Sequence, residues 1–250
     1  MGKGERIMPK AHRGGQGSIS QSHTGATVVG RNTTANVNRK YTGFDDNDAN
    51  AVRSANADAY DDPDFNYARK LYVSDATDNQ GYSFSQNLNY KLDNNLPLNA
   101  NEQYMADMLQ NGVRPIGKDT TLYRAAHDDI LKIMGVKDYS KMSDAQLQKL
   151  VGTEIKTSSY QSTSYDIRKN PFVSGPQAGG REVQMEIKTS ANTKMFLGAK
   201  SQAEIVLDKG TTMRLVSINY DRDSRGNVKM ARPRTSTKAK PIVRLVFETV

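Results

Sequence analysis

The 250-residue chain contains no cysteine, which removes disulfides, thiolate zinc sites and a cysteine nucleophile at once. Histidine is nearly absent too: His12, His23 and His127 are the only three, and no two have ligand spacing. A histidine-based metal centre or triad is therefore not expected. No run approaches the roughly 18 apolar residues of a membrane span. Lys3 and Arg6 are not followed by the apolar segment of a signal peptide. Neither G-x-x-x-x-G-K-[ST] nor G-x-G-x-x-G occurs, so a bound nucleotide would have to be held by side chains. Carboxylate pairs such as Asp45-Asp46 and Asp61-Asp62 lack the glycine and spaced oxygens of a calcium loop.

Apolar residues are also scarce, at 36% with a mean hydropathy of −0.72, so part of the chain is expected to lie outside any core. The net charge of +8 is unevenly placed. Residues 1–40 and 222–241 each sum to +6, while 41–221 sum to −4. Basic ends favour nucleic acid or acidic partners through counterion release, and they also keep a chain soluble.

Residues 1–40 combine that charge with repeated glycine and polar residues and show no periodicity, so they read as a disordered basic arm. Residues 41–250 then form one domain, with a helical part over 60–115 and a strand-rich core over 118–250. Residues 41–61 show no pattern that separates loop from helix. Asp62-Pro63 predicts a capped helix over 63–73, with Phe65, Ala68, Leu71 and Tyr72 on one face. Further helices are predicted over 83–93 and 101–111, the latter with Tyr104, Met105, Met108 and Leu109 together and Gly112 as its stop. Thr121–Ala125 reads as a strand, His127–Met134 as a helix closed by Gly135, and Ser143–Gln146 as a capping box. Beyond 153 the period changes. Val183, Met185 and Ile187 alternate with polar neighbours, and 204–207, 212–218 and 242–247 are further strands, with Lys209-Gly210 as a hairpin turn. The fold class is α+β.

Three segments stand out in order: Leu122-Tyr123-Arg124, Gln161-Ser162-Thr163-Ser164-Tyr165, and Gln202-Ala203-Glu204 before Ile205–Leu207. Gly180-Arg181 stands between the last two, directly before the alternating strand. In order and strand context this set resembles the ADP-ribosyltransferase toxin fold, in the branch of the clostridial Rho-modifying exoenzymes and the actin-modifying binary toxins. The resemblance covers roughly residues 80–220. It implies helices packed on a split two-sheet core, NAD as co-substrate, no metal, and transfer of ADP-ribose to a macromolecular acceptor.

The resemblance also implies roles. Glu204, Gln202 and Ser162 would be catalytic. Arg124, Tyr123, Thr163, Ser164, Arg181, Phe172 and Asn89 would bind NAD, with the two arginines on the pyrophosphate and Phe172 over the nicotinamide. Asn89 falls in a helix motif whose final position is here Asp93 in place of arginine. Cleavage of the nicotinamide–ribose bond passes through an oxocarbenium-like state that one placed carboxylate stabilises. If residues 202–204 are extended, Gln202 shares a face with Glu204. Its neutral amide suits an Asn or Gln side chain, or a guanine, better than arginine. The short loop Leu197–Ser201 lacks an exposed aromatic, which implies an acceptor other than Rho.

A protein acceptor is expected, with a nucleic-acid acceptor as the alternative; a phage-borne structural or nucleic-acid-binding protein on the same fold is the reading outside enzymes. A monomer without a membrane partner is expected. It would act in the cytosol or be delivered by a virion or a specialised secretion machine.

Overall fold

The computed structural model describes residues 26–33, 39–169, 181–232 and 238–250. The chain begins there with β1 (Ala26–Arg31), then a run of helices: α1 (Asp46–Ala55), α2 (Ala57–Tyr60), α3 (Pro63–Tyr72), α4 (Phe84–Asp93) and α5 (Ala100–Asn111). Strands β2 (Arg114–Pro115) and β3 (Thr120–Ala126) follow, then α6 (Asp129–Ile133) and α7 (Asp144–Gln148). The remainder is strand: β4 (Thr153–Thr157), β5 (Gln161–Ser164), β6 (Val183–Thr189), β7 (Lys194–Leu197), β8 (Glu204–Leu207), β9 (Thr212–Tyr220), β10 (Met230–Ala231), β11 (Lys240–Pro241) and β12 (Val243–Thr249).

The expected helices form where their caps place them. Asp62 accepts from the Phe65 amide with Pro63 behind it, and Ser83, Asn99 and Ser143 each build a reciprocal capping box. The stretch 46–60, which had no readable pattern, is also helical. Asp45 and Asp48 form a capping box that starts α1, although α1 buries none of its residues. Gly112 ends α5 with φ of −90°, so no left-handed turn requires it. It is glycine because the Phe65 ring lies where a Cβ would stand. On α5 the buried face is Met105 and Leu109, while Tyr104 is exposed.

Ten strands form one sheet in the order β1-β4-β9-β12-β6-β3-β5-β8-β7-β2, with β10-β11 as a separate ribbon. The large sheet is nearly divided. β3 and β6 share seven register pairs and β5 and β8 share four, but β3 meets β5 only at Tyr123 opposite Ser164. That single pair is the seam of the expected two-sheet core. Two expectations change here. Lys209-Gly210 is not a hairpin, because β8 pairs with β5 and β7 whereas β9 pairs with β4 and β12, so the turn carries the chain across the seam. Residues 26–31, within the stretch read as a disordered arm, pair as an edge strand with β4. Their exposed Val28 and Val29 leave little apolar periodicity for the sequence to reveal.

Helix α3 covers the β5-β8-β7 part through a box of rings. Phe196 on β7 lies edge-on to Phe65 and Tyr72 of α3 and to Tyr160 just before β5, with centroids 5.6–6.1 Å apart. Each such pair adds about 0.5–1.5 kcal/mol beyond the area it buries. The basic excursion between β9 and β12 folds back as β10-β11, and several of its cations are held by aspartates: Arg222 by Asp144 at 2.8 Å, Lys229 by Asp221 at 3.1 Å and Lys240 by Asp128 at 2.6 Å.

Candidate active site

The seam brings the separated motifs together. Arg124 leaves β3 and donates from Nη1 to the Ser162 carbonyl on β5, at 2.6 Å. Ser162 and Glu204 lie on one face of the β5–β8 ladder, because Ser162 is opposite Val206 and Ser164 is opposite Glu204. The Ser162 hydroxyl lies near enough to favour the ionised Glu204 carboxylate and to act on the Tyr72 hydroxyl. Asn89 of α4 donates from Nδ2 to the Tyr72 hydroxyl at 2.9 Å and to the Tyr160 carbonyl at 3.2 Å, while its Oδ1 is buried with no partner. Polar groups are thus ranged from Asn89 of α4 past Tyr72 and Ser162 toward the carboxylate.

Charge is balanced inside this cluster. Burial pushes the Glu204 carboxyl above its ordinary range, opposed by the Ala199 amide, the Ser162 hydroxyl and Arg124. Burial lowers the Arg124 pKa and Arg181 acts in the same direction, whereas Tyr72, Asp93 and Glu204 oppose it. Arg124 and Arg181 are thus near enough to repel each other. Arg124 beside Glu204, with Arg181 within electrostatic reach of Arg124, is an arrangement that a doubly charged pyrophosphate would complete. Asp93, at the position where the resemblance expects arginine, helps to neutralise Arg124 and accepts from the Ser158 hydroxyl at 3.1 Å.

Glu204 is fixed by its loop. Its Oε2 accepts from the Ala199 amide at 2.8 Å, and its carbonyl accepts from the Gly198 amide at 2.9 Å. A Cβ on Gly198 would lie 2.6 Å from Glu204 Cδ and 2.7 Å from Cγ, so only glycine leaves room for the carboxylate. Residues 200–202 form a 3-10 turn capped by Ala203, with φ 49° and ψ 42°. That left-handed residue is not glycine and costs about 1–2 kcal/mol; such strain is characteristic of functional turns. It also overturns the expectation that residues 202–204 are extended: Gln202 does not share a strand face with Glu204, since the backbone reverses between them. The Gln202 carbonyl accepts from Ser164 Oγ at 2.8 Å, which ties the turn to β5.

Not every predicted residue joins this cluster. Thr163 is buried, and its hydroxyl donates to the Ile205 carbonyl at 2.7 Å. Ser164 serves the Gln202 and Asp166 carbonyls. Tyr123 borders a neighbouring groove of about 480 Å³ with Phe44, Asp46, Tyr165 and Ile167. Phe172 and Gly180 lie outside the described residues. Conversely, sequence reasoning missed the wall opposite Glu204, where Asp46, Ala49, Asn50 and Arg53 of α1 face Tyr165, Gly198 and Lys200. The Asp45–Asp48 capping box was its only signal. Tyr72 was read as a core residue, which its ring is; nothing in the sequence distinguishes its hydroxyl. Among the described residues, no three histidine or acidic side chains are grouped to hold a metal ion.

Residues 70–241 match the ADP-ribosyltransferase exoenzyme family. The chain belongs to that family, and with it to the NAD-dependent ADP-ribosyltransferases. No curated protein matches the sequence, so the remaining comparisons are with solved structures. An ADP-ribosyltransferase from Clostridium botulinum, solved in a triclinic form, is similar over 84% of this chain and 98% of its own, with a TM-score of 0.52 and 13% identity. The C3 exoenzyme of Clostridium limosum gives 0.53 and 13% over 84% and 98%. The ADP-ribosylating toxin BECa of a C. perfringens binary enterotoxin, solved with NADH, gives 0.58 and 14% over 84% of this chain and 50% of its own. At these identities the agreement is one of fold. It bears out the α+β architecture with its large mixed sheet and small second sheet.

Proposed function

We propose that the protein transfers one ADP-ribose from NAD to an Asn or Gln side chain of a protein, releasing nicotinamide. The observation that supports it is the juxtaposition across the seam of Arg124, with Arg181 in its electrostatic reach, and a buried, tethered Glu204. The arginines would hold the pyrophosphate. Ser162 and Glu204 would hold the nicotinamide ribose, with Glu204 strengthening its contact as positive charge develops on the sugar. The nicotinamide–C1′ bond breaks with its electron pair going to the pyridine nitrogen. The acceptor nitrogen then bonds to C1′ and sheds a proton to solvent or to Glu204. Phe172, by resemblance, would cover the nicotinamide, and no metal takes part. The oxygen of Asn89, buried and unpartnered, adds an acceptor beside Tyr72 and Ser162.

Gln202, a neutral amide in the turn leading to Glu204, supports an amide acceptor over an arginine. The ion pairs of Arg222, Lys229 and Lys240 weaken the case for nucleic acid, because cations already paired release fewer counterions on binding phosphates. A guanine acceptor retains support from Arg225 and Arg232, which are exposed in the same basic excursion. Incubation of the protein with labelled NAD and cell lysate, followed by separate protease and nuclease digestion, tests the reading. Label removed by protease alone is the expected result; label removed by nuclease alone would transfer the assignment to nucleic acid. Efficient labelling of agmatine would refute the amide reading.

A further inference from the structure

The strand that leads into the Glu204 loop runs out of partners on one side. β2 pairs with β7 only at Arg114–Met195 and Pro115–Lys194, so beyond Met195 the outer edge of β7 has no paired strand among the described residues. The Gly198 amide points to β8, where Glu204 accepts it, so the amide and carbonyl of Leu197 face the opposite, outer side. Backbone groups in such a position must find side-chain partners. Two helices supply them. The Leu197 amide donates to the Tyr60 hydroxyl at the end of α2, at 2.9 Å. Nη1 of Arg69 on α3 donates to the Leu197 carbonyl at 3.3 Å and to the Gly198 carbonyl at 3.5 Å.

Arg69 is an unusual choice for that position. It is half-buried, and its Nε is buried without a hydrogen-bond partner. The described ion pairs of the chain give it no carboxylate; its remaining contact is Nη2 to Asn66 Oδ1, at 3.2 Å. Arg53 lies near enough to add repulsion. A neutral donor would satisfy two carbonyls at less desolvation cost, so the cation serves more than local folding. Immediately after those two carbonyls the chain reaches Ala199, whose amide holds Glu204.

We propose that Arg69 is a positioning residue for the transfer reaction: by gripping the Leu197 and Gly198 carbonyls from α3, it fixes the loop whose Ala199 amide anchors the Glu204 carboxylate. Tyr72, one turn along the same helix, reaches Ser162. α3 therefore sets both supports of the carboxylate, one through the loop and one through β5. Without Arg69 the loop shifts, the Ala199 bond lengthens and Glu204 leaves its place beside the ribose. This inference rests on the reading of Glu204 as the ionised catalytic carboxylate.

The test compares the full-length protein with Arg69→Met, Arg69→Lys and Tyr60→Phe, following NAD hydrolysis against pH. The groups facing Glu204 are Arg124 from β3, Tyr72 and Asp75 from α3 and the segment after it, Ser162 from β5, Asp46 and Arg53 from α1, and Lys200 from the loop. All remain in these variants, so a displaced acid limb reports the Ala199 bond. Arg69→Met should lower kcat on the order of 10- to 100-fold, with KM for NAD within about twofold, and move the acid limb to higher pH. Arg69→Lys should restore part of both, and Tyr60→Phe should shift both less in the same direction. A fall in melting temperature with an unmoved limb and unchanged kcat per folded molecule would overturn the inference. Absence of turnover in the wild type would defeat the NAD reading instead. In that case the Glu204 titration, followed by NMR of glutamate-labelled protein and assigned with Glu204→Gln, still decides: a raised value in Arg69→Met supports the inference, and an unchanged value overturns it. If Arg69→Met does not fold, Tyr60→Phe decides by the same readings.

Discussion

The two sides of the seam are built differently. On one side β6, β9 and β12 are seven to nine residues long and lie in a continuous ladder. Arg214 and Glu248 form a buried ion pair within it. On the other side β5, β7 and β8 have four residues each, and their ends are completed by side chains from α2 and α3. Arg124 and Arg181 come from the long-stranded side, Ser162 and Glu204 from the short-stranded one. The arginines proposed to hold the pyrophosphate thus sit on a frame fixed by backbone pairing, whereas the carboxylate proposed to react sits where side chains from α2 and α3 complete the strand ends. A short strand that ends early leaves polar groups free to be aimed, at the cost of needing helices to aim them.

Three substitutions would sharpen or break that contrast. The largest effect is expected of Glu204→Gln, which should reduce NAD cleavage by about 10²–10³-fold, the usual loss for a group that stabilises transition-state charge. The same change should not lower the melting temperature at neutral pH. Glu204 has its pKa raised by burial, so the folded state binds its proton more tightly than the unfolded chain. Its contribution to stability is greatest below the ordinary carboxylate pKa and falls as pH rises through the raised one, and glutamine removes that loss. Wild-type activity should fall as pH drops through the raised value, above the ordinary carboxylate range. Comparable turnover in Glu204→Gln, or a clearly destabilised variant, would remove the functional half of the comparison.

Next is Gly198→Ala. The added methyl group displaces the Glu204 side chain from the Ala199 amide, so kcat should fall on the order of 100-fold, as for small misplacements of a reacting group. The melting temperature should change little, because one side chain can rotate away. A large loss of stability with normal turnover of the folded fraction would show that the loop belongs to the rigid frame after all. The smallest effect is expected of Arg124→Lys on the long-stranded side. Charge is kept but the fork is lost, so NAD affinity measured by calorimetry should weaken by about tenfold, the loss of one strong hydrogen bond. Unchanged affinity would assign Arg124 to the Ser162 carbonyl alone.

The seam itself shows how much could be read in advance. Arg124, Ser162, Arg181 and Glu204 could be singled out because their order along the chain resembles the family's motif, and Arg181 in addition stands directly before the alternating strand Val183–Ile187. Gln202 was legible as a residue type but not in its geometry, because the left-handed Ala203 is a residue that gives no warning of a turn. Helix α1 was overlooked because none of its residues is buried, which leaves no apolar stripe to detect. The hairpin expected at Lys209-Gly210 failed because turn residues mark a reversal and say nothing about which strands pair across it.

By itself the sequence determined the α+β class, the capped helices, the alternating strands, the absence of cysteine chemistry and the family with its NAD-directed motif. These depend on interactions between residues close in the chain, or on residue identity alone. The tertiary structure decided where the sheet divides, which hydroxyls and amides meet Glu204, that Gly112 and Gly198 are glycine for the space they leave, and that Arg69 closes the open edge of β7. Each of those depends on groups far apart in sequence that meet only once the chain is packed, where the need to satisfy buried polar atoms selects a single arrangement.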